Sequence, residues 1–293
     1  RLVEIVGSFS SKKICVLGDT IIDEYIDCFP LGMSQEEPTL VVSPQKTERF
    51  LGGAGIVASH ASKMGAKVKF FSVVGKDQGQ YFAEECLDNF KVEHCLLSDA
   101  ARPTTLKQRF RSQGKSLLRV STLSQRNISS NFQKTLISKF EKNAADFDLV
   151  IFSDFNYGAL PQSTVDEIIG IAKANKIFVA ADSQSSSQFG DISRYVGADL
   201  ITPTEREARI ALQNNDDGLV ILADKLMEKT QSKYIILKLD ADGMLVQKNE
   251  KLEKNSHTEQ IEALNRNPTD ISGAGDSVLT IASLAMICGA NLW

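Results

Sequence analysis

Leu149-Val150-Ile151-Phe152-Ser153, the segment Pro161 to Asn175, and Ile177-Phe178-Val179-Ala180-Ala181 together read as one strand–helix–strand unit. The two short runs are apolar at nearly every position, as expected of parallel strands covered on both faces; a strand with one wet face would alternate. Between them, apolar residues recur at helical spacing, and Pro161 suits a first helical turn, where its missing N–H goes unneeded. The rhythm continues in both directions. Lys13–Leu17, Val68–Val74, Leu200–Thr202 and Tyr234–Leu239 are further strand candidates, and Gly53–Met64, Gly79–Asn89, Asn131–Asn143, Thr204–Gln213 and Gly218–Gln231 are helix-compatible. This alternation predicts a doubly wound α/β fold with a mostly parallel sheet. Ligands in such sheets bind beyond the carboxyl ends of the strands, so the residues just after each strand are the first to read.

Two stretches break the alternation. Residues 25–50, with Leu40–Val42, and residues 103–123, where Thr104–Phe110 and Ser116–Ser121 flank the turn Ser112-Gln113-Gly114-Lys115, read as extra antiparallel strands inserted into a parallel domain. A small sheet over the strand ends would serve as a lid that excludes water.

Composition narrows the function. The 293 residues are 42% hydrophobic and 24% charged, enough to bury one large core or two modest ones. Thirty-three basic and 37 acidic residues give a net charge of -4, with no basic block to follow a phosphate backbone, so nucleic acid is not the expected partner. The longest apolar runs fall short of the roughly 20 residues of a membrane span, and no signal-peptide pattern opens the chain; a cytoplasmic location is the expectation. Five scattered cysteines and three dispersed histidines, His60, His94 and His257, offer no disulfide framework or zinc spacing. The chain opens on Arg1 and stops at Trp293 without a charged terminal turn, which suggests trimmed ends.

The strongest chemical signal is Asp270-Ile271-Ser272-Gly273-Ala274-Gly275-Asp276-Ser277, followed by a helix-compatible run from Val278 to Cys288. The backbone N–H groups of Gly273, Ala274 and Gly275 can approach an anion because no large side chain intervenes, and a helix start adds partial positive charge. A carboxylate at Asp276 is unfavourable beside that anion unless it has work to do, such as taking a proton from an attacking hydroxyl. The competing reading is a helix N-cap by Asp276. Leu51-Gly52-Gly53-Ala54-Gly55 is a second glycine-rich helix start, which fits close packing against a small ligand but is neither a Walker A loop nor G-x-G-x-x-G. Asp19, directly after the first strand, and Asp23 could grip sugar hydroxyls, turn formation being the commoner role for such residues. A dehydrogenase on a Rossmann sheet would need G-x-G-x-x-G after that strand, and Gly18-Asp19-Thr20 does not supply it.

The order Gly18-Asp19, Gly52-Gly53-Ala54, Gly75-x-Asp77, Thr202-Pro203-x-x-x-Glu207 and Gly273-Ala274-Gly275-Asp276 resembles the PfkB, or ribokinase-type, carbohydrate kinases over nearly the whole chain. Ser34-Gln35-Glu36-Glu37-Pro38, Lys107-x-Arg109, Leu118-Arg119 and Ser153-Asp154-Phe155-x-x-Gly158 look most like the heptose 7-phosphate kinase domain of ADP-heptose synthases. The resemblance implies a single three-layer ribokinase-like domain over residues 1–293 with a small β lid, whose adenine-binding loop and final helix follow Trp293. It implies ATP as phosphoryl donor, Mg²⁺, Asp276 as general base, and Gly273, Ala274 and Gly275 as anion hole. Asp19, Asp23, Gly52 and Gly53 would contact the sugar. Lys107, Arg109 and Arg119 on the lid would meet a phosphate already on it, since Arg and Lys clamp phosphate, although basic residues on a lid hairpin are more often simply solvated. The nucleotide would lie against Thr204, Lys238, Gly243, Gly273 and Gly275. Glu207 would place Mg²⁺ through water, and Asp270 would contribute to a monovalent-cation (K⁺) site. A homodimer through the lid and a nucleotidyltransferase partner or fusion are further implications.

Several positions depart from the family pattern: Ile56 where Asn is usual, Thr204 for Asn, and Asp182-Ser183-Gln184 in place of Asp-Pro-Lys. Gln184 thereby lacks a phosphate-facing charge, and Ser121 stands where the heptose kinases have Asp. These departures motivate a second expectation, a catalytically weak sugar or nucleotide binder with a sensor or structural role.

Overall fold

The structure is a computed structural model describing residues 1–184, 190–249, 258–265 and 272–292. In chain order the strands are β1 (Lys13–Gly18), β2 (Thr20–Met33), β3 (Leu40–Gly53), β4 (Lys67–Gly75), β5 (Glu93–Asp99), β6 (Thr105–Ser112), β7 (Lys115–Thr122), β8 (Leu149–Asp154), β9 (Phe178–Ser183), β10 (Leu200–Ile201), β11 (Tyr234–Lys238), β12 (Met244–Lys248) and β13 (Thr258–Ile261). The helices are α1 (Leu2–Ser8), α2 (Ala54–Lys63), α3 (Gln78–Asn89), α4 (Ser130–Glu141), α5 (Gln162–Ala174), α6 (Glu205–Leu212), α7 (Leu219–Thr230) and α8 (Ala274–Ile287).

Among the described residues, nine strands form one sheet in the order β13-β12-β11-β10-β9-β8-β1-β4-β5. It is parallel from β5 to β11. The tight turn Asp240–Gly243 then reverses the chain, so β12 and β13 complete the edge antiparallel. Successive strand residues feed opposite layers. Cys15, Leu17, Val150 and Phe152 pack with α4 to α7, whereas Ile14, Val16, Leu149 and Ile151 pack with α2, α3 and α8. Both faces being dry explains the near-continuous apolar strands. Burying a side chain such as Phe152 contributes roughly 1.5–3 kcal/mol relative to leaving it in water.

The doubly wound reading therefore holds, with element ends displaced by a residue or two. Three strands escaped the sequence reading: β5 is only half buried, and β12 and β13 are short, β13 lying exposed at the sheet edge.

A second, four-stranded sheet has the order β3-β2-β6-β7 and forms the lid. Two corrections apply to the expected lid. It starts at Thr20, immediately after β1, and β3 runs into Gly52-Gly53, so the glycine motif ends a lid strand as well as opening α2. Its pairing is mixed: β2 pairs with β3 antiparallel but with β6 parallel, because β6 enters the lid after β4 and β5 and so runs alongside β2. The base of the lid is buried, and its far end and all of β7 are exposed.

Gly18 shows how closely these parts meet. A Cβ there would lie 1.9 Å from the Ser153 carbonyl oxygen and 2.6 Å from the Ala54 Cβ. Gly170, on the exposed side of α5, has nothing within 4 Å. Gly18→Ala is expected to destabilise the protein by about 1–3 kcal/mol through overpacking against backbone. Gly170→Ala is expected to stabilise it by about 0.5–1 kcal/mol, because alanine loses less entropy in a helix. Urea unfolding of both variants checks this, and equal shifts would refute the close approach at β1.

Candidate active site

Helix α8 starts behind Gly273, its N-cap, which adopts the left-handed conformation that glycine tolerates (φ 77°). Among the described residues no side chain caps this end, and a Cβ on Gly273 would meet nothing within 4 Å. The unpaired N–H groups of that turn and the dipole of a 14-residue helix make it an anion cradle. Asp276 lies inside the helix. It is therefore not the cap, and the N-cap reading of this residue is wrong.

The Asp276 carboxyl is buried and accepts a hydrogen bond from Gln184 Nε2 at 2.9 Å. Burial chiefly, with Asp182 and Asp23 adding repulsion, pushes its pKa up to about 7, against the pull of Lys238 and Gln184. A carboxylate titrating there is suited to take and return a proton near neutral pH. Gln184 is thus part of the site, a role that reading it only as a lost charge missed. The signal was available, since Gln184 directly follows β9 and strand ends bind ligands.

Two strands further along, Lys238 Nζ donates to Asp182 Oδ2 at 2.9 Å. Asp182 is almost wholly buried, and its pKa is pushed up to about 6, by burial first, with Lys238 opposing and Glu207 reinforcing. Thr204 and Glu207 form a reciprocal capping box at the start of α6: the Glu207 N–H donates to Thr204 Oγ1, and the Thr204 N–H donates to Glu207 Oε2 at 2.8 Å. Thr204 also bridges to Lys238 in parallel. Gly243 closes the turn before β12 at φ 89°, where a Cβ would lie 2.0 Å from the Ile261 carbonyl oxygen; the turn by itself demands glycine there.

Asp19 lies on the same carboxyl edge of the sheet, directly after β1, and is almost completely buried. Its carboxylate accepts from the N–H groups of Phe155 (2.9 Å), Tyr157 (3.3 Å) and Ala159 (3.3 Å), and its carbonyl accepts from the Ala54 N–H (2.9 Å). In this structure it organises the loop after β8. Burial, then the neighbouring Asp154, push its pKa up to about 6. Asp154, also raised by burial, accepts from Arg194 and Tyr195 at 2.8 Å each. This buried quartet was missed at the sequence level because Arg194 and Tyr195 belong to no motif.

The lid meets this edge at Asp23, whose carboxylate lies over Gly52: a Cβ on Gly52 would be 2.1 Å from Asp23 Oδ2. Arg109 pairs with Asp23 and stacks on Tyr25 at 5.1 Å. Lys107 sits over the rings of Phe155 and Tyr157, 5.0 and 5.2 Å from their centroids. Arg119 is exposed on β7, directly across from Arg109. The structure thus brings Asp23, Gly52, Gly53 and Arg109 together at the base of the lid and leaves Arg119 on its outer strand. Asp77 caps α3 and accepts from the Thr104 N–H at 2.8 Å, tying the end of β4 to the lid.

Among the described residues, no three His, Cys, Asp or Glu side chains are placed to hold a metal ion. Glu207 offers the carboxylate oxygen chemistry that Mg²⁺ takes. Asp270 lies outside the described residues. No described helix is long and apolar enough to cross a membrane.

Residues 11–285 match the family described as pfkB family carbohydrate kinase. The chain is similar to the bifunctional protein HldE of Desulfatibacillum aliphaticivorans, 32% identical over 290 residues, which is 98% of this chain and 58% of that protein. The fold is that of Arabidopsis thaliana ribokinase complexed with ribose and ATP, with a TM-score of 0.71 at 16% identity, covering 96% of this chain and 88% of that one. The phosphofructokinase-2 of Escherichia coli in complex with fructose-6-phosphate gives 0.73 at 14% identity, covering 96% and 88%.

Asp19, Asp182 and Asp276 all bind protons more tightly folded than unfolded, so stability falls as pH rises from about 4 to about 7. Asp276→Asn removes one of these groups. Its melting temperature relative to the wild type is expected to climb between pH 4 and 7 and level off above. Calorimetric melts across that range check this, and a constant gap would mean that Asp276 titrates as an ordinary carboxyl.

Proposed function

Because the chain belongs to the pfkB family of carbohydrate kinases, whose members transfer phosphoryl groups to alcohol acceptors, we propose that it moves the γ-phosphoryl group of ATP to a hydroxyl of a sugar phosphate of the heptose 7-phosphate kind. The observation behind this reading is the buried Asp276 carboxyl in the first turn of α8, an end that no described side chain caps. A general base and an anion cradle side by side are what phosphoryl transfer to a hydroxyl requires.

In this reading the sugar oxygen attacks phosphorus, its proton passes to Asp276, and ADP leaves with the electron pair of the broken P–O bond. The backbone N–H groups of Gly273, Ala274 and Gly275 receive the charge of the moving group. Asp23, Gly52 and Gly53 hold the sugar hydroxyls, and Asp19 shapes that wall through the 155–159 loop while remaining a candidate for direct contact. Thr204, Lys238 and Gly243 line the nucleotide side. Mg²⁺ supplies charge neutralisation on the phosphates, with Glu207 holding it through water; a K⁺ site at Asp270 belongs to the same proposal.

Lys107, Arg109 and Arg119 are assigned to the phosphate the sugar already carries. The likeness to HldE and the Ser34–Pro38 and Lys107-x-Arg109 segments support the heptose phosphate choice. The chain is read as one kinase domain with its lid, acting in the cytoplasm, and it pairs with a nucleotidyltransferase partner or fusion. Exposed Phe29, Leu31, Met33, Leu118 and Val120 on the lid support a homodimer through that sheet. The alternative reading, a binder with weak turnover, rests on one observation: Gln184 already engages one oxygen of Asp276.

The test is ADP release by the full-length protein with ATP and Mg²⁺ against phosphorylated and free sugars. Turnover is expected with a phosphorylated sugar, kcat should rise with pH through about 7 as Asp276 ionises, and Asp276→Asn should lower it ~10²–10⁴-fold with sugar binding kept. Wild-type kcat in that variant would remove Asp276 as base, and binding without turnover would favour the alternative. Lys107→Ala and Arg109→Ala should raise KM for phosphorylated sugars selectively.

A further inference from the structure

We propose that Lys238 is a catalytic residue of this transfer, its ammonium meeting the phosphoryl group at the first turn of α8; the inference rests on the kinase reading above and assigns the residue a role beyond lining the nucleotide site.

Lys238 is the last residue of β11, on the edge where the other site groups converge, and its backbone is fixed by an N–H bond to the Pro203 carbonyl at 2.8 Å. The side chain reaches toward α8. A Cβ on Gly275 would lie 3.2 Å from Lys238 Nζ and 3.9 Å from Cε, so the ammonium packs directly against the backbone at Gly275, closer than a side chain there would leave undisturbed. The cation therefore stands against the positive end of a helix, where the dipole disfavours it. It is also largely buried, which disfavours any charge.

Three carboxylates offset both costs. Asp182 holds the ammonium at 2.9 Å, while its other oxygen, Oδ1, has no partner among the described residues. Burial acts to lower the pKa of Lys238, yet Asp182, Glu207 and Asp276 keep it above its ordinary value, so the group stays charged. A buried pair adds little stability over an apolar pair of the same shape. Its position beside a helix start that no described side chain caps suits a different purpose, meeting negative charge that builds up during transfer in a site with little water. Gln184, at the end of β9, brings only a neutral amide to Asp276. Lys238 thus supplies, from β11, the cation that β9 lacks. Asp182 is a positioning residue that aims it.

The test compares wild type, Lys238→Arg, Asp276→Asn and the double variant Asp182→Asn/Lys238→Met, which replaces the ion pair without leaving a buried charge unpaired. Two quantities are read with Mg²⁺ present: kcat for the sugar phosphate, and calorimetric affinity for ADP with and without aluminium fluoride, a mimic of the phosphoryl group in flight. The mimic is expected to tighten ADP binding in the wild type and in Asp276→Asn. In the double variant ADP alone should bind within about threefold of wild type, the tightening should fall at least about tenfold, and kcat should fall ~10²–10³-fold. Lys238→Arg should recover part of both. Full tightening and near-wild-type kcat in the double variant would overturn the proposal, as would a loss of ADP affinity that accounts for the whole loss of kcat. If the double variant does not fold, the Arg variant decides: loss of ADP affinity with unchanged tightening refutes the assignment, and reduced tightening with intact ADP affinity supports it. Mimic tightening that depends on Lys238, in a wild type that phosphorylates no sugar, would overturn the sugar-kinase reading and leave Lys238 in place.

Discussion

The carboxylate of Asp19 gathers the N–H groups of Phe155, Tyr157 and Ala159, while the carbonyl of the same residue takes the N–H of Ala54. One residue thereby ties the end of β1 to the loop after β8 and to the start of α2. The lid departs from the main sheet at the very next residue, Thr20. The joint is possible because Gly18 has no side chain where Ser153 and Ala54 close in. Burial raises the cost of ionising Asp19, and hydrogen bonds to three N–H groups offset part of it. The proposed sugar side of the site inherits its shape from this joint.

The proposed nucleotide side is organised by charge. Asp182, Lys238, Asp276 and Gln184 come from β9, β11, α8 and the residue after β9, and each restrains another: Asp182 holds the ammonium, Gln184 holds the Asp276 carboxyl, and Gly275 leaves the room in which Lys238 lies. Burial lifts both aspartates to values where protons move near neutrality. The arrangement costs stability and equips the site for chemistry, a common trade at functional sites.

The lid couples the two sides. Asp23 lies over Gly52, pairs with Arg109, and adds to the field at Asp276. Arg111 with Asp27 and Arg49 with Glu24 repeat the pairing along the same strands. Cross-strand ion pairs of this kind hold register more than they add stability, and register is what sets Asp23 above the glycine motif.

Much of this was legible in the residues. Apolar strand runs with helical segments between them dictated a parallel sheet covered on both faces, since only burial on both sides permits such runs. Gly273-Ala274-Gly275-Asp276 and Gly18-Asp19 drew attention to the strand-end edge, because ligands of doubly wound sheets bind beyond the carboxyl ends of the strands. Tertiary structure alone decided the partners. That β6 lies parallel to β2, that the Asp19 carboxylate faces backbone N–H groups, that Gln184 reaches Asp276 and that Lys238 reaches Asp182 are all contacts between segments 50 to 140 residues apart or joined through a helix. Local sequence encodes propensity and periodicity, whereas burial, charge neighbours and the pKa values that follow arise only when distant strand ends are packed side by side.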